Sequence, residues 1–258
     1  MKILNEEIKS ITKLAPDIYK MTIISPYTAQ NAHPGQFVNV KCSEGLNALL
    51  RRPISICDID KENSLLDIVF QIKGIGTEYL AQKQLGTKVD ILAPLGKPFC
   101  VSDEYKNIAV IGGGIGIFPL LYLLKEYKSA HKSAYLGFRN KEFIVLRDEF
   151  EKACDSLKIS TDDGSAGHNG LVTEPFEEDL KAGKFDIVFA CGPTPMIKKV
   201  VDIANQYGVK CQVSLEQRMG CGIGACLVCA CKTRLGDEWE YSHVCKDGPV
   251  FWSSEVIL

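Results

Sequence analysis

Asn107–Tyr127 reads NIAVIGGGIGIFPLLYLLKEY, and this stretch decides the fold class. Asn107 to Ile111 is a short apolar run of the kind that forms a buried strand. It passes directly into Gly112, Gly113, Gly114, Ile115 and Gly116. A helix is expected next, with Leu120, Leu121, Leu123, Leu124 and Tyr127 on its apolar side and Pro119 in its first turn. Glycines between a strand and a helix let the backbone approach a dinucleotide pyrophosphate. The spacing is not G-x-G-x-x-G, so the standard Rossmann fingerprint is absent. Ile108–Leu124 is the longest uncharged run; it is short for a membrane span and is broken by glycines and Pro119.

Further α/β signals follow. Ala134–Gly137 reads as a strand, Phe143–Leu157 as mostly helical, and residues 184–190 as a parallel-type strand ending at Cys191, Gly192 and Pro193. Met196, Ile197, Val200, Val201 and Ala204 form a helical stripe that stops at Gly208. Between these elements lies the polar loop Thr161-Asp162-Asp163-Gly164-Ser165-Ala166-Gly167. Asp162 or Asp163 near an adenosine ribose would accept from a 2′-hydroxyl and repel a 2′-phosphate, favouring NAD over NADP; an ordinary Asp-Gly turn is the alternative. Residues 101–210 are thus expected to form a nucleotide-binding α/β domain.

Downstream, Cys221–Cys245 reads CGIGACLVCACKTRLGDEWEYSHVC. Cys221, Cys226 and Cys229 stand at C-x4-C-x2-C and Cys245 follows after fifteen residues, the plant-type ligand spacing for a 2Fe–2S cluster. Thiolates suit iron because they are soft donors. Gly222 and Gly224 permit sharp turns that aim backbone N–H groups at the sulfurs. A structural zinc site is the alternative, although zinc knuckles usually pair two C-x2-C motifs. Cys231 is read as a bystander, with a swapped ligand role as the alternative. Residues 211–258 form the expected cluster domain.

Upstream, residues 1–100 carry strand signals. Leu66, Ile68, Phe70 and Ile72 alternate with Asp67, Val69, Gln71 and Lys73, and Gln36–Cys42 and Lys88–Leu92 look similar. Turn residues at Pro34-Gly35, Gly86 and Pro94-Leu95-Gly96 separate them, which suggests a small antiparallel barrel. In Arg51-Arg52-Pro53-Ile54-Ser55, an arginine beside a rigid proline turn suits a phosphate, and Ser55 suits a flavin edge near N5. Lys73-Gly74-Ile75-Gly76-Thr77 opens a helix whose free N–H groups suit a pyrophosphate. Taken singly, the first is more often a solvated turn and the second a plain helix entry.

Composition narrows the class. A chain of 258 residues with 46% hydrophobic and 24% charged residues is ordinary for a globular protein of about two domains. A net charge of -2 leaves no footprint for nucleic acid or an anionic membrane. MKILNEEIKSITK has no apolar h-region, which argues against secretion and a disulfide framework for the eleven cysteines and for a cytoplasmic protein. The four histidines share no spacing, and only His243 lies near the cysteines, so a Rieske centre is excluded. No hydrolase constellation is present.

The order of Arg-Pro-x-Ser, Gly-x-Gly-Thr and a nucleotide domain resembles the ferredoxin–NAD(P) reductase superfamily. Ser214-Leu215-Glu216-Gln217-Arg218-Met219 leading into the cysteine loop narrows the resemblance. Nearly the whole chain is similar to the electron-transfer, iron–sulfur flavoprotein subunits of NAD-dependent (class 1B) dihydroorotate dehydrogenases. The resemblance implies FAD held by Arg52, Pro53, Ile54, Ser55, Val69, Phe70, Gln71, Gly76 and Thr77. It implies NAD at Gly112–Gly116, Asp162, Asp163, Cys191, Gly192 and Pro193, with Cys191 small enough to let the nicotinamide reach the flavin; a packed strand-end cysteine is the alternative. The implied cluster ligands are Cys221, Cys226, Cys229 and Cys245. A partner subunit containing FMN would oxidise dihydroorotate, in a heterotetramer of two plus two, within pyrimidine synthesis. Ile223, Leu227, Trp239 and Trp252 are candidate partner contacts. Flavin mediates between a hydride pair and single electrons, so no catalytic side chain is expected. Subunits of NAD(P)H–ferredoxin or sulfide oxidoreductases and hydrogenases share these modules, and a zinc-stabilised interaction protein is the reading outside enzymes.

Overall fold

In the computed structural model every residue is described except Glu44, Ser129 and the side chain of Leu46. Alternating residues of the first part close into a barrel. Its elements are β1 (Lys2–Ala15), β2 (Ile18–Ile24), α1 (Pro26–Asn31), β3 (Phe37–Val40), β4 (Arg52–Asp60), β5 (Leu65–Gln71), α2 (Ile75–Ala81) and β6 (Lys88–Leu95). The six strands run antiparallel in the closed order β1-β2-β5-β4-β3-β6. One set of alternate residues fills the barrel, including Val38, Val40, Ile54, Ile56, Leu66, Ile68, Phe70, Val89 and Ile91. The period-2 expectation is therefore met, with α1 and α2 as short helices between strands.

The second part comprises β7 (Asn107–Gly113), α3 (Phe118–Glu126), β8 (His131–Phe138), α4 (Arg147–Ala153), β9 (Ser156–Thr161), β10 (His168–Asn169), α5 (Thr173–Lys181), β11 (Ile187–Cys191), α6 (Thr194–Gln206) and β12 (Lys210–Ser214). The helix expected over residues 143–157 is shorter. Leu146 takes a left-handed φ of 57° before α4 and Cys154 is extended after it. Ser156–Thr161 then pairs in parallel with β8. Phe150, Ala153 and Leu157 fit a helical spacing, but strand pairing takes Leu157.

The C-terminal part contains β13 (Ala230–Leu235), β14 (Glu238–His243), β15 (Val250–Trp252) and β16 (Val256–Ile257). Strands β14-β13-β16 form a small antiparallel sheet. β12 and β15 instead belong to a seven-stranded sheet of order β10-β9-β8-β7-β11-β12-β15, with β15 antiparallel to β12. The segment after residue 210 thus begins and nearly ends within the α/β sheet.

Two apolar contacts join the parts. Barrel residues Ile18, Cys57 and Val69 pack with α3 in one core, and Phe37 and Leu95 pack with Val213, Cys229, Val244 and Cys245 in another. Tyr122 donates to the Ala32 carbonyl at 3.0 Å, and Lys125 pairs with Asp58. Among the described residues no helix is long and apolar enough to cross a membrane.

Candidate functional site

The cysteine loop lies between β12 and β13, and Cys245 follows β14. Gly222 (φ 76°) and Gly224 (φ 83°) both occupy the left-handed region, which is what turns the loop back on itself. The loop's N–H groups converge on sulfur. Ile223, Ala225 and Cys226 donate to Cys221 Sγ at 3.4, 3.2 and 3.4 Å, and Gly224 donates to Cys245 Sγ at 3.1 Å. Cys221 and Cys245 donate to the sulfurs of Cys226 and Cys229 at 3.3 and 3.4 Å.

The thiols meet as two pairs, Cys221 with Cys226 and Cys229 with Cys245. Burial works against ionisation of Cys221, yet the N–H donors outweigh it and hold the thiol at about 6. Burial and the Cys229 sulfur push Cys245 the other way. Two thiol pairs suit a two-iron cluster, each iron taking two thiolates. Cys231 lies on β13, half-buried, with burial raising its thiol to about 11.

On the barrel the two arginines have different surroundings. Arg51 Nη2 donates to both Asp90 carboxylate oxygens at 2.8 Å, and its Nη1 reaches the Asn39 and Asp90 carbonyls. Among the described residues Arg52 donates to the Leu50 and Arg51 carbonyls, leaving donors for an anion. Its guanidinium lies over the first turn of α2: a Cβ on Gly76 would sit 2.9 Å from Arg52 Nε. The two stretches expected to hold one pyrophosphate are therefore neighbours. Thr77 Oγ1 is spent on the turn itself, accepting from Lys73 and donating to the Gly74 carbonyl. Ile54 and Phe70 point into the barrel core, so only their backbones face outward. Val69 packs toward α3, and Gln71 reaches the cleft described next.

A cleft of about 640 Å³ separates barrel from sheet. It is lined by Gly113, Gly114 and Ile115 at the end of β7, by Phe138 and Arg139 at the end of β8, and by Gly192 and Pro193 after β11. Ile18, Gln71 and Lys73 close it from the barrel side. The strand order reverses between β7 and β11, and open α/β sheets take ligands at such a switch point. Gly112 and Gly116 are set back: a Cβ on Gly116 would lie 2.4 Å from the Cys191 carbonyl, so packing alone requires glycine there. Cys191 is buried beneath the cleft with its thiol raised to about 12 by that burial. Asp162 lines the cleft, whereas the exposed Asp163 accepts from Ser165 N–H at 2.9 Å.

Sequence reading missed Lys73, Arg139, Lys199 and Glu216 as cleft residues. Burial raises the Glu216 carboxyl and Lys73 opposes that shift. Their place in motifs already singled out was the available signal for Lys73 and Glu216; Arg139 and Lys199 carry none. Of the candidate contacts near the cysteine loop, Ile223, Leu227 and Trp239 are exposed, while Trp252 packs against the sheet core.

A family model described as the iron–sulfur cluster binding domain of dihydroorotate dehydrogenase B matches residues 216–257. An oxidoreductase NAD-binding domain matches residues 110–202. The dihydroorotate dehydrogenase B (NAD(+)) electron transfer subunit of Caldanaerobacter subterraneus subsp. tengcongensis is 40% identical, over 97% of each chain. The subunit of the same name from Fusobacterium nucleatum subsp. nucleatum is 38% identical over 99% of each. Among solved structures, that of an NADH-dependent reduced ferredoxin-NADP oxidoreductase, described for flavin-based electron bifurcation, superposes with a TM-score of 0.86. It is 34% identical and the match covers 98% of this chain and 89% of that one.

Proposed function

The chain belongs to the dihydroorotate dehydrogenase B (NAD(+)) electron transfer subunits, and from that membership we propose how its own residues serve a relay between a partner subunit and NAD. It is an oxidoreductase subunit that transfers electrons. When bound, FAD exchanges a hydride pair with NAD and single electrons with a 2Fe–2S cluster. The polypeptide's work is to place these groups. Arg52 and the first turn of α2 around Gly76 would hold the FAD pyrophosphate, and the outward-facing Pro53 and Ser55 would meet the flavin. Gly113–Ile115 and Gly192–Pro193 would receive the dinucleotide at the switch point, and Asp162 would accept from a ribose hydroxyl. Cys221, Cys226, Cys229 and Cys245 hold the cluster. The partner carries FMN and oxidises dihydroorotate, and it docks at the exposed apolar residues around the cysteine loop, of which Leu227 is 61% exposed. The assembly is two plus two.

The convergence of six backbone N–H contacts on the four cysteine sulfurs carries this reading. Anaerobically purified protein is expected to be brown, with iron, acid-labile sulfide and FAD in stoichiometric amounts. Colourless protein holding zinc would overturn it. The 34% identical oxidoreductase favours a second reading, a subunit serving NAD(P)H and ferredoxin. Orotate-dependent NADH oxidation by the chain assembled with its partner separates the two.

A further inference from the structure

Asn39 stands where the flavin side of the barrel meets the cysteine loop. In β3 it lies opposite Pro53, and Phe37 lies opposite Ser55. Directly opposed residues of an antiparallel pair share a face. Val38, Val40 and Ile54 point into the barrel, so Asn39, Phe37, Pro53 and Ser55 point outward together. Asn39 is therefore on the face assigned above to the flavin ring.

The same side chain reaches the cluster loop. Asn39 Nδ2 donates to the Cys221 carbonyl at 3.0 Å, across 182 positions of sequence. A Cβ on Gly222 would sit 2.5 Å from that nitrogen. The left-handed Gly222 thus leaves room for the carboxamide as well as turning the loop. From behind, Arg51 Nη1 donates to the Asn39 carbonyl while its other nitrogen grips Asp90. Asn39 is 1% exposed, and its Oδ1 accepts nothing among the described residues. Burying an unmet acceptor is costly, and an apolar residue of similar size would avoid that cost. The position keeps a donor despite it.

We propose that Asn39 is a positioning residue that fixes the first cluster ligand to the flavin face of the barrel and thereby sets the rate of electron passage between the two groups. The inference rests on the function proposed above. Arg51 and Gly222 belong to the same device, Arg51 steadying the Asn39 backbone and Gly222 admitting its side chain. Of the two adjacent arginines, one therefore serves the flavin phosphate and the other the cluster linkage.

The test is stopped-flow reduction of the holoprotein by NADH, following flavin bleaching and cluster bleaching separately. Asn39→Leu keeps the branching and the number of heavy atoms and removes the donor. It is expected to retain FAD, iron and sulfide at wild-type content and to keep NADH-to-flavin reduction within about twofold. Flavin-to-cluster transfer is expected to slow about 10- to 100-fold, the usual loss when a residue supporting a metal ligand is removed. Unchanged transfer in a fully loaded Asn39→Leu protein would overturn the inference. Should that variant fail to fold, Asn39→Ala removes the same hydrogen bond without adding bulk and is read by the same criterion. Wild-type protein without a cluster would instead remove the proposed function, so the two failures are told apart.

Discussion

Arg51 and Arg52 are neighbours with identical chemistry, and sequence alone does not divide their work. The division comes from Asp90, which register brings to Arg51 from β6 while leaving Arg52 over Gly76. Arg52→Ala is expected to weaken FAD binding by about 1.5–3 kcal/mol, the contribution of a charge-assisted contact, with iron content unchanged. Equilibrium dialysis of FAD measures it, and unchanged affinity would make Arg52 a surface turn residue. The cysteines were legible because a ligand loop is local: spacing and two glycines specify it without help from the rest of the chain. Serine at Cys221, Cys226, Cys229 or Cys245 is expected to lose or strongly destabilise the cluster, since a hydroxyl matches iron poorly. Cys231→Ser is expected to keep it. Iron analysis of the five variants decides, and loss at Cys231 with retention at Cys229 would shift the assignment. Asn39 was illegible for the opposite reason, its partner lying far away in sequence.

At the scale of elements, the strand–glycine–helix unit around β7 was legible because its signal is continuous. The bounds of helix α4 were not, because Leu157 fits its helical spacing and only the pairing of β9 with β8 gives that residue to a strand. The same neighbourhood holds a polar tie. Asp179 of α5 binds Lys158 of β9 and Lys184 at 2.7 Å each, and accepts from Tyr135 of β8 at 2.5 Å. Burial opposes the Asp179 charge, but these three donors outweigh it and hold the carboxyl at about 2. A carboxyl depressed in the folded state stabilises fully above its unfolded pKa, about 3.9. That contribution disappears as pH falls from about 4 through about 2. Asp179→Asn is expected to cost about 1–2 kcal/mol at neutral pH, discounted for partial exposure of the lysines, and almost nothing near pH 2. Urea unfolding of both proteins at several pH values measures it; a difference independent of pH would mean that the charge contributes nothing.

For the whole molecule, the modules were legible and their seams were not. A boundary after residue 210 follows from the end of the helical stripe, yet β12 continues the sheet and β15 returns to it. Nothing local marks Val250–Trp252 as an edge strand of a sheet begun at Asn107. Division of labour between subunits gives a further expectation. Alone, the holoprotein should oxidise NADH with artificial acceptors and leave dihydroorotate untouched. Turnover of dihydroorotate with NAD by the isolated chain would place the substrate site here and remove the need for a partner.

The pairing of β12 with β15 also has a consequence for maturation. Leu215 N–H donates to the Pro249 carbonyl at 2.9 Å, just inside the strand pair that closes residues 215–249 into a ring. The entropy of bringing the ends of that ring together is met by the sheet itself. Cys229 and Cys245 are buried on its floor, and Cys226 is exposed at its rim. The ring is therefore expected to be a receptacle closed by the sheet and not by the metal, with Cys226 on its accessible side. Chelator-stripped protein is expected to keep its sheet by circular dichroism and to regain colour on reconstitution; collapse of the sheet on stripping would show that the cluster builds the receptacle.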